Sequence, residues 1–246
     1  MAKPRSHLAR APIVEALIDL RVIPRDQITP NDFESLTALV GSSYSEKAQR
    51  ASIQMRFGMD GGKPIEPTST SSVMGWLYKT ESNIAQFRVD GFTFSRIEPY
   101  TSWQEVFDEA FRLWNIYVQV ANPKQVSRIA VRYINRMRLT GSADLKEFLE
   151  APPVIPKPIP QRIREFLSRT RVDDTRRKAS AVIIQALEPQ VDPSTISLIL
   201  DIDAFKDGLT LLPDDSSIPE LFGQLRELKN EIFFASITER TAENYE

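Results

Sequence analysis

VSRIAVRYINRMRL, residues 126–139, alternates apolar and arginine side chains almost without a break. One side of an extended chain would carry the apolar residues Ile129, Val131, Tyr133, Met137 and Leu139. The other side would carry what we call the arginine face, defined by Arg128, Arg132, Arg136 and Arg138. A period of two predicts a β-strand. Its length and its apolar side place it near the middle of a sheet.

Composition limits the classes of function. The chain has 246 residues, enough for one large domain or two small ones. The net charge is −2, so the protein has no overall field that would draw it to nucleic acid or to a membrane surface. A local basic patch is compatible with this balance. The apolar content of 41% is ordinary for a globular protein.

The usual catalytic and metal-binding patterns are missing from the sequence. There is no cysteine, and the single histidine is His7, which excludes disulfides, thiolate metal sites and Cys–His pairs. The Gly-Gly pair at 61–62 has the wrong spacing for a phosphate-binding loop. We therefore expect no cofactor and no metal, and no residue set supports an enzymatic activity. The start lacks the apolar region of a signal peptide, and no apolar run approaches the roughly 20 residues that span a bilayer. We expect a cytoplasmic protein without a membrane partner.

Periodicity and turn residues predict the other elements. In the first half, we expect strands at 12–22, 51–59, 73–80, 84–90 and 92–98, helices at 30–44 and 102–121, and a flexible connection at 59–72. In the second half, we expect helical segments at 144–149 and 161–168, a mixed-charge turn at 169–178, and strands at 179–188 and 195–203 around a turn at 189–193. A capping box at Ser217 predicts a second long helix, followed by a helical tail.

The order of elements repeats. Residues 12–121 and 122–246 each begin with a strand and a helix, continue with two to four strands, and close with a long capped helix. We expect a flexible arm at 1–11 and a stiff proline-rich connector at 150–160. The predicted fold class is α+β: a duplicated unit forming one curved antiparallel sheet, with the long helices on one side. This resembles the TATA-binding-protein-like and helix-grip folds, an analogy of fold without function.

Carboxylates on neighbouring strands are the expected partners of the arginine face. If the first strands of the two halves meet, Glu15 and Asp19 would lie opposite some of Arg132, Arg136 and Arg138, and Asp201 and Asp203 could join the same surface. Gln54, Arg56, Gln86 and Arg88 would extend the surface if their strands keep the same sidedness. Asp201 and Asp203 could hold a metal, but salt bridging to arginine is the favoured interpretation. The whole face is either a structural charge ladder or a site for an anionic group.

Three segments together resemble a known group of proteins: PIVEALIDLRV at 12–22, IAVRYINRMRL at 129–139 and LRELKNEIFFASITERTAENYE at 225–246. In this order they are similar to a sporadically distributed, uncharacterised bacterial family of this length. Its most specific marks are the RYINR segment at 132–136 and the FFxSIT segment at 233–238. The resemblance implies a bacterial cytoplasmic protein and fits a gene carried on mobile or defence islands. It implies no activity and no catalytic residue.

The expected function is therefore a non-enzymatic binding module. Its polar sheet face would bind a partner protein, a second copy of the chain, or a small anionic ligand. The alternative is a nucleic-acid-binding protein whose arginine face contacts phosphates, with Arg56 and Arg88 extending the track. The acidic total and the nearby carboxylates count against this alternative.

Overall fold

The computed structural model describes residues 8–60, 63–140, 144–188 and 195–246, with the backbone alone for residues 52–60, 63–71 and 140. The strands are β1 Ile13–Ile23, β2 Glu46–Asp60, β3 Lys63–Lys79, β4 Asn83–Arg88, β5 Gly91–Ile97, β6 Gln125–Thr140, β7 Phe166–Asp174, β8 Ala179–Leu187 and β9 Thr195–Lys206. The α-helices are α1 Thr37–Val40, α2 Trp103–Ala121, α3 Ile218–Ser236 and α4 Glu239–Glu243. Two short 3₁₀ helices span Pro30–Phe33 and Leu145–Glu147.

The described strands form one curved antiparallel sheet of nine strands, which confirms the α+β class and the single sheet. The strand order is β2-β3-β4-β5-β1-β6-β9-β8-β7. The predicted arginine strand is β6, and it pairs with β1 on one side and with β9 on the other. The expected meeting of β1 and β6 in the middle of the sheet is therefore confirmed. Among the described residues, no helix is long and apolar enough to cross a membrane.

The sheet buries one face against the long helices. Ala16, Ile18 and Leu20 of β1 are fully buried, as the alternation predicts, and so are the apolar residues of β6. Helix α2 contacts β5 and β1, while α3 contacts β9 and β6. Because both helices cover the apolar side, the arginine face on the opposite side of β6 is left to polar contacts.

Aromatic side chains fill the space between α2 and the sheet. The predicted cap is confirmed: the Ser102 hydroxyl accepts a hydrogen bond from the Glu105 N–H at 3.2 Å. Tyr117 stacks on Trp114, with ring centroids 5.2 Å apart, and on Phe33, at 5.6 Å. The stripe on α2 is thus part of the core.

The start and the end of the described chain pack together. Leu8 is buried in a second cluster with Phe233 and Ile237. The Arg10 N–H donates to the carbonyl of Tyr245 at 2.9 Å. Residues 1–7 of the predicted arm lie outside the described residues, as does the predicted turn at 189–193.

Two predictions about strands in the outer parts of the sheet are wrong. Residues 63–72 of the expected flexible connection belong to β3, which pairs with β2 in a long hairpin. Their serine and threonine side chains suit both turns and exposed strands, and pairing with β2 decides between them. The expected helix at 161–168 and the mixed-charge turn at 169–178 overlap β7, because Phe166–Asp174 pair with the free edge of β8. The local sequence pattern carries no information about such pairing between distant segments.

Two helix predictions are also wrong in detail. The helix expected at 30–44 is a 3₁₀ turn and the single turn of α1. The buried Tyr78 hydroxyl accepts from the Leu36 N–H at 3.1 Å and donates to the Phe33 carbonyl at 2.6 Å, which fixes the segment between the two turns. Ser217 does not cap α3 through its side chain. Instead its own N–H and hydroxyl donate to Asp215 Oδ1 at 2.8 and 2.6 Å.

Candidate functional site

Strands β1 and β6 bring polar side chains together at the centre of the exposed sheet face. Arg21 of β1 is the cross-strand partner of Arg128 on β6, and Leu17 is the partner of Arg132. Like charges directly opposite each other destabilise an antiparallel pair. The site is therefore organised around the carboxylate that lies between these two arginines, Asp19.

Asp19 accepts from four side chains. Arg128 Nη1 donates to its Oδ1 at 3.1 Å, and Arg21 Nε donates to the same oxygen at 3.3 Å. The Thr93 hydroxyl donates to Oδ2 at 2.6 Å, and Arg88 Nη2 donates to it at 3.3 Å. The Asp19 side chain is 15% exposed, so these bonds replace most of its contact with water. One carboxylate thus compensates arginines on three strands, β1, β4 and β6.

The buried Arg88 and the partly exposed Asp90 extend this network. Arg88 is buried and donates to Asp90 Oδ1 at 3.1 Å and to the Thr93 hydroxyl at 2.6 Å. Asp90 also accepts from Arg21 Nη1 at 2.6 Å. Burial opposes the ionisation of Asp90, but Arg88 and Arg21 outweigh it and hold the pKa of this carboxyl below its usual value. Asp90 is therefore a fixed negative partner for both arginines.

Strand β9 supplies carboxylates on the other side of β6. Arg128 Nη2 donates to Asp203 Oδ2 at 3.0 Å, so Arg128 bridges two carboxylates. Arg132 donates from Nε and Nη2 to both oxygens of Asp201, at 2.9 and 2.6 Å. This bidentate pair is diagonal, because the cross-strand partner of Arg132 is Asp203. The favoured interpretation of Asp201 and Asp203, salt bridging to arginine, is confirmed.

The pKa of the Asp203 carboxyl is shifted by its surroundings. Its burial raises the pKa above the ordinary value, although Arg128 and Arg132 act in the opposite direction. The charges of Asp19 and Asp201 raise the pKa further. The centre of the face therefore contains a carboxyl group that gains less from ionisation than an exposed aspartate does.

Arg136 and Arg138, the outer part of the arginine face, are separate from the network around Asp19. Arg136 Nη2 donates to Glu188 Oε1 at 3.4 Å. Its Nε lies 3.3 Å from Glu188 Oε2, an ion pair by distance that lacks hydrogen-bond geometry within the described residues. Arg138 is exposed and forms no ion pair with a described carboxylate. Both arginines line a pocket of about 290 Å³ with Glu98 and Tyr245, away from the central carboxylates.

A cleft of about 690 Å³ opens over the centre of the face. Five arginines line it: Arg21, Arg50, Arg88, Arg128 and Arg132. Three carboxylates line it as well: Glu15, Asp19 and Asp203. Arg50 and Glu15 form no ion pair with any described residue, whereas the others are paired. We call this feature the arginine cleft.

The structure brings most, but not all, of the predicted residues together. Arg128, Arg132, Glu15, Asp19 and Asp203 line the arginine cleft, and Asp201 holds Arg132 from the side. Arg136 and Arg138 do not line the cleft; they line the separate pocket with Glu98 and Tyr245. Gln86 and Arg88 do lie at the cleft, as the sidedness of their strand predicted. The side chains of Gln54 and Arg56 lie outside the described residues.

Sequence reasoning missed Arg50, Asp90 and Thr93. Thr93 alternates with the buried Phe92 and Phe94, and this pattern would have placed its hydroxyl on the polar face. Asp90 was considered only as the last residue of the strand predicted at 84–90. Arg50 falls before the predicted start of β2, and the longer observed strand carries it over the cleft.

Within the described ranges, no three histidine, aspartate or glutamate side chains are grouped as metal ligands. Asp19, Asp201 and Asp203 instead accept from arginine. The chemistry of the site is thus ionic hydrogen bonding among fixed guanidinium and carboxylate groups.

Comparison with known proteins adds no family: no protein-family model matches the chain, and no curated protein matches its sequence.

Proposed function

We propose that the chain is a non-enzymatic binding module whose arginine cleft binds an anionic group, carried by a small ligand or by an acidic segment of a partner protein. One observation carries this proposal: a cleft of about 690 Å³ is lined by more arginines than carboxylates. Ligand pockets are usually concave, and a guanidinium matches the geometry of a carboxylate or phosphate. Arg50 has no described carboxylate partner and is the cation most available to an incoming anion.

The ion pairs at the floor of the cleft are compatible with binding. A guanidinium has five N–H donors, and Arg132 uses two of its nitrogen atoms on Asp201. The Arg132 side chain remains 42% exposed. Asp19 and Asp203 hold Arg128 in one orientation, so little side-chain entropy remains to be lost when a ligand binds. The carboxylates thus orient the arginines as well as neutralising them.

Nucleic acid is the competing ligand class. A phosphate backbone needs a continuous row of available cations, and single-strand binding usually adds exposed aromatic rings. Here Asp19 and Asp203 lie in the cleft itself, and Tyr133 of the same strand is buried on the opposite face. These observations favour a compact anionic group over a polyanion.

We also infer that the fold arose by duplication of a strand–helix–strands–helix unit, as in the TATA-binding-protein-like and helix-grip folds. Strand β1 neighbours β6, and the order outward is β5, β4, β3, β2 on one side and β9, β8, β7 on the other, so the first unit has one strand more. Helix α2 follows β5, and α3 follows β9. On this proposal the arginine cleft lies at the junction of the two units, where each contributes charged residues.

The resemblance to a sporadically distributed bacterial family suggests the setting that we propose. The module would act in the cytoplasm as an accessory of a defence or mobile-island system. Its partner would be a second polypeptide or a second copy of the chain. The RYINR segment at 132–136 contributes both Arg132 in the cleft and Arg136 outside it.

Native mass spectrometry tests the proposed binding. The purified chain would be mixed at low salt with pyrophosphate, with a hexaglutamate peptide, or with a short single-stranded DNA. We expect a stoichiometric complex with pyrophosphate or the peptide. The complex should weaken in Arg50→Glu, which removes no described ion pair. Arg169→Glu is a matched control, since Arg169 is also exposed, lies on β7 away from the cleft, and forms no ion pair with a described residue.

Binding of all three probes by Arg50→Glu as tightly as by the wild type would overturn the proposal, and so would binding of none of them by either protein. A complex with the DNA alone would establish the nucleic-acid alternative. A gentle purification from bacterial cells adds a second readout: a co-purifying polypeptide of fixed stoichiometry would favour the partner-protein form of the proposal.

A further inference from the structure

Lys229 is a buried amine on the helix side of the sheet, opposite to the arginine cleft. Only 8% of the residue is exposed, and its Nζ lies 3.8 Å from the centroid of the Tyr133 ring. No described carboxylate pairs with it. Lysine is almost never buried without a partner, because the charged form loses its hydration. Packing alone does not explain why a lysine is buried at this position.

The surroundings of Lys229 form a small cavity with polar walls. A cavity of about 70 Å³ lies between α3, β6 and the N-terminal segment. Tyr100, Tyr133, Asn135 and Arg226 line it together with Lys229. The hydroxyls of Tyr100 and Tyr133 are 3.3 Å apart and share a hydrogen bond. The cavity thus places hydroxyl groups next to an amine that has no described ionic partner.

Arg226 provides a cation at the mouth of this cavity. It lies one helical turn before Lys229 and is exposed, with its guanidinium over the Trp103 ring at 5.4 Å. It forms no ion pair within the part of the chain that the structure describes. Among the charged groups that line the cavity, both are cationic, and the N-terminal segment contributes only the apolar residues Leu8, Ala11 and Ile13. The mouth therefore attracts a small anion.

The amine of Lys229 is prepared for nucleophilic attack. Burial, and then the charge of Arg226, lower its pKa to about 7. The face of the Tyr133 ring attracts the ammonium form, an effect of about 1 kcal/mol that opposes this shift without cancelling it. A lysine that is desolvated and next to another cation carries a substantial neutral fraction near neutral pH, and the neutral amine is the nucleophile.

We propose that Lys229 forms a Schiff base with a small oxo acid, whose carboxylate binds Arg226 at the mouth of the cavity. The nitrogen lone pair attacks the carbonyl carbon to give a carbinolamine. Loss of water then leaves a carbon–nitrogen double bond, with both amine hydrogens departing with the carbonyl oxygen. No oxidant or reductant is needed.

The volume of the cavity and its two tyrosine hydroxyls fit this reaction. About 70 Å³ corresponds to roughly two water molecules, enough for the carbonyl end of a small molecule. Burial raises the pKa of Tyr100, and it raises that of Tyr133 well above its ordinary value. Both hydroxyls therefore stay protonated, and the one that accepts in their shared hydrogen bond can donate to the oxygen of the carbinolamine. Larger oxo acids would be excluded from the interior.

Reductive trapping tests the proposal. The full chain would be incubated at neutral pH with glyoxylate and cyanoborohydride, and the modified lysine located by peptide mass spectrometry. We expect a carboxymethyl group on Lys229, forming about tenfold faster or more than on exposed lysines. Lys229→Met should lose this label. Lys206→Met is the control, because Lys206 is also buried but donates to the Arg177 carbonyl.

Acetaldehyde, which lacks a carboxylate, separates the two parts of the site. Arg226→Met raises the pKa of Lys229 and should slow labelling by both aldehydes, but the loss should be much larger with glyoxylate, which also loses its carboxylate contact. Equal glyoxylate labelling of Arg226→Met and the wild type would overturn the carboxylate contact. Labels spread over exposed lysines with Lys229 unmodified would overturn the whole proposal. This peptide map of the wild type decides the question even if Lys229→Met does not fold.

Discussion

The carboxylate of Asp19 on β1 lies 3.1 Å from the guanidinium of Arg128 on β6, across the strand pair that joins the two halves of the sheet. Arg128 reaches from there to Asp203 on β9, while Asp19 also accepts from Arg88 on β4 and Thr93 on β5. Five strands are therefore connected through two side chains. The floor of the arginine cleft and the centre of the sheet are parts of one ionic network.

Replacing Asp19 should destabilise the fold. Asp19→Asn removes the charge that compensates Arg21, Arg88 and Arg128, and the side chain of Arg88 is only 5% exposed. Asp90 and Asp203 still pair with these arginines, so the loss is that of the hydrogen bonds to a charged acceptor, and we expect the free energy of unfolding to fall by about 2 kcal/mol. Urea unfolding measures this as a lower midpoint at an unchanged slope.

A surface aspartate gives the matched control for that substitution. Asp26 is 87% exposed and forms an ion pair with Lys124. Asp26→Asn should change the free energy of unfolding by less than about 0.5 kcal/mol. Equal losses in the two variants would show that Asp19 contributes no more than a surface charge.

Arg136 offers a test of the separation between the outer arginines and the cleft. Arg136→Glu places a carboxylate beside Glu188, and at low salt we expect a loss of about 1 kcal/mol in unfolding free energy. Adding Glu188→Arg should restore most of it, with a difference that shrinks as salt rises. Because Arg136 does not line the arginine cleft, pyrophosphate binding should match that of the wild type.

The opposite pattern would contradict this assignment. If Arg136→Glu abolishes binding as Arg50→Glu does, the two pockets act as one surface. If the double variant is no more stable than Arg136→Glu, the pair with Glu188 contributes nothing measurable to folding.

The sequence was sufficient for elements whose own periodicity is strong. The alternation of β6 and β1 predicts both strands and their buried faces, and the cap at Ser102 predicts the start of α2. Strand β7 was missed because its sequence carries no regular apolar period. Most residues of β7 are exposed, and only pairing with β8 defines the strand.

The candidate site was also predictable only in part. The expected meeting of β1 and β6 predicted that Asp19 pairs with an arginine of β6, but the predicted partners were Arg132, Arg136 and Arg138, whereas the observed partner is Arg128. The hydrogen bond from Thr93 to Asp19 depends on the register of β5 against β1, which local patterns do not determine. Arg138 was grouped with Arg128 by alternation alone, but ten residues of strand rise separate them by about 33 Å.

The close approach of β5 to β1 depends on Gly91. Its φ is +151°, and a Cβ there would collide with the carbonyl oxygen of Leu20. Gly91→Ala should therefore lower the free energy of unfolding by about 3 kcal/mol or more. Gly223→Ala on α3 is the contrasting control, since no atom lies within 4 Å of the added Cβ. There we expect a gain of about 1 kcal/mol in helix stability. Two losses of similar size would contradict the steric explanation.

The buried amine of Lys229 should make stability depend on pH in a defined direction. Its pKa is about 7 in the folded protein, against about 10.4 in an unfolded chain. Between these values the unfolded state binds more protons, so the free energy of unfolding rises with pH. Below pH 7 the folded protein must bury an ammonium group. Lys229→Met removes this cost, so below pH 7 its free energy of unfolding should exceed that of the wild type by about 4 kcal/mol. The attraction between the ammonium group and the Tyr133 ring reduces this difference by about 1 kcal/mol.

That advantage should shrink steadily as pH rises from 7 and disappear near pH 10, where both states of the wild type carry a neutral amine. Denaturant titrations of both proteins across this range measure the difference directly. Lys157→Met, at an exposed position of the proline-rich connector, controls for the loss of a lysine in general. A stability difference that stays constant across the range would mean that Lys229 keeps its proton in the folded protein. The amine would then not be the nucleophile that Schiff-base formation requires.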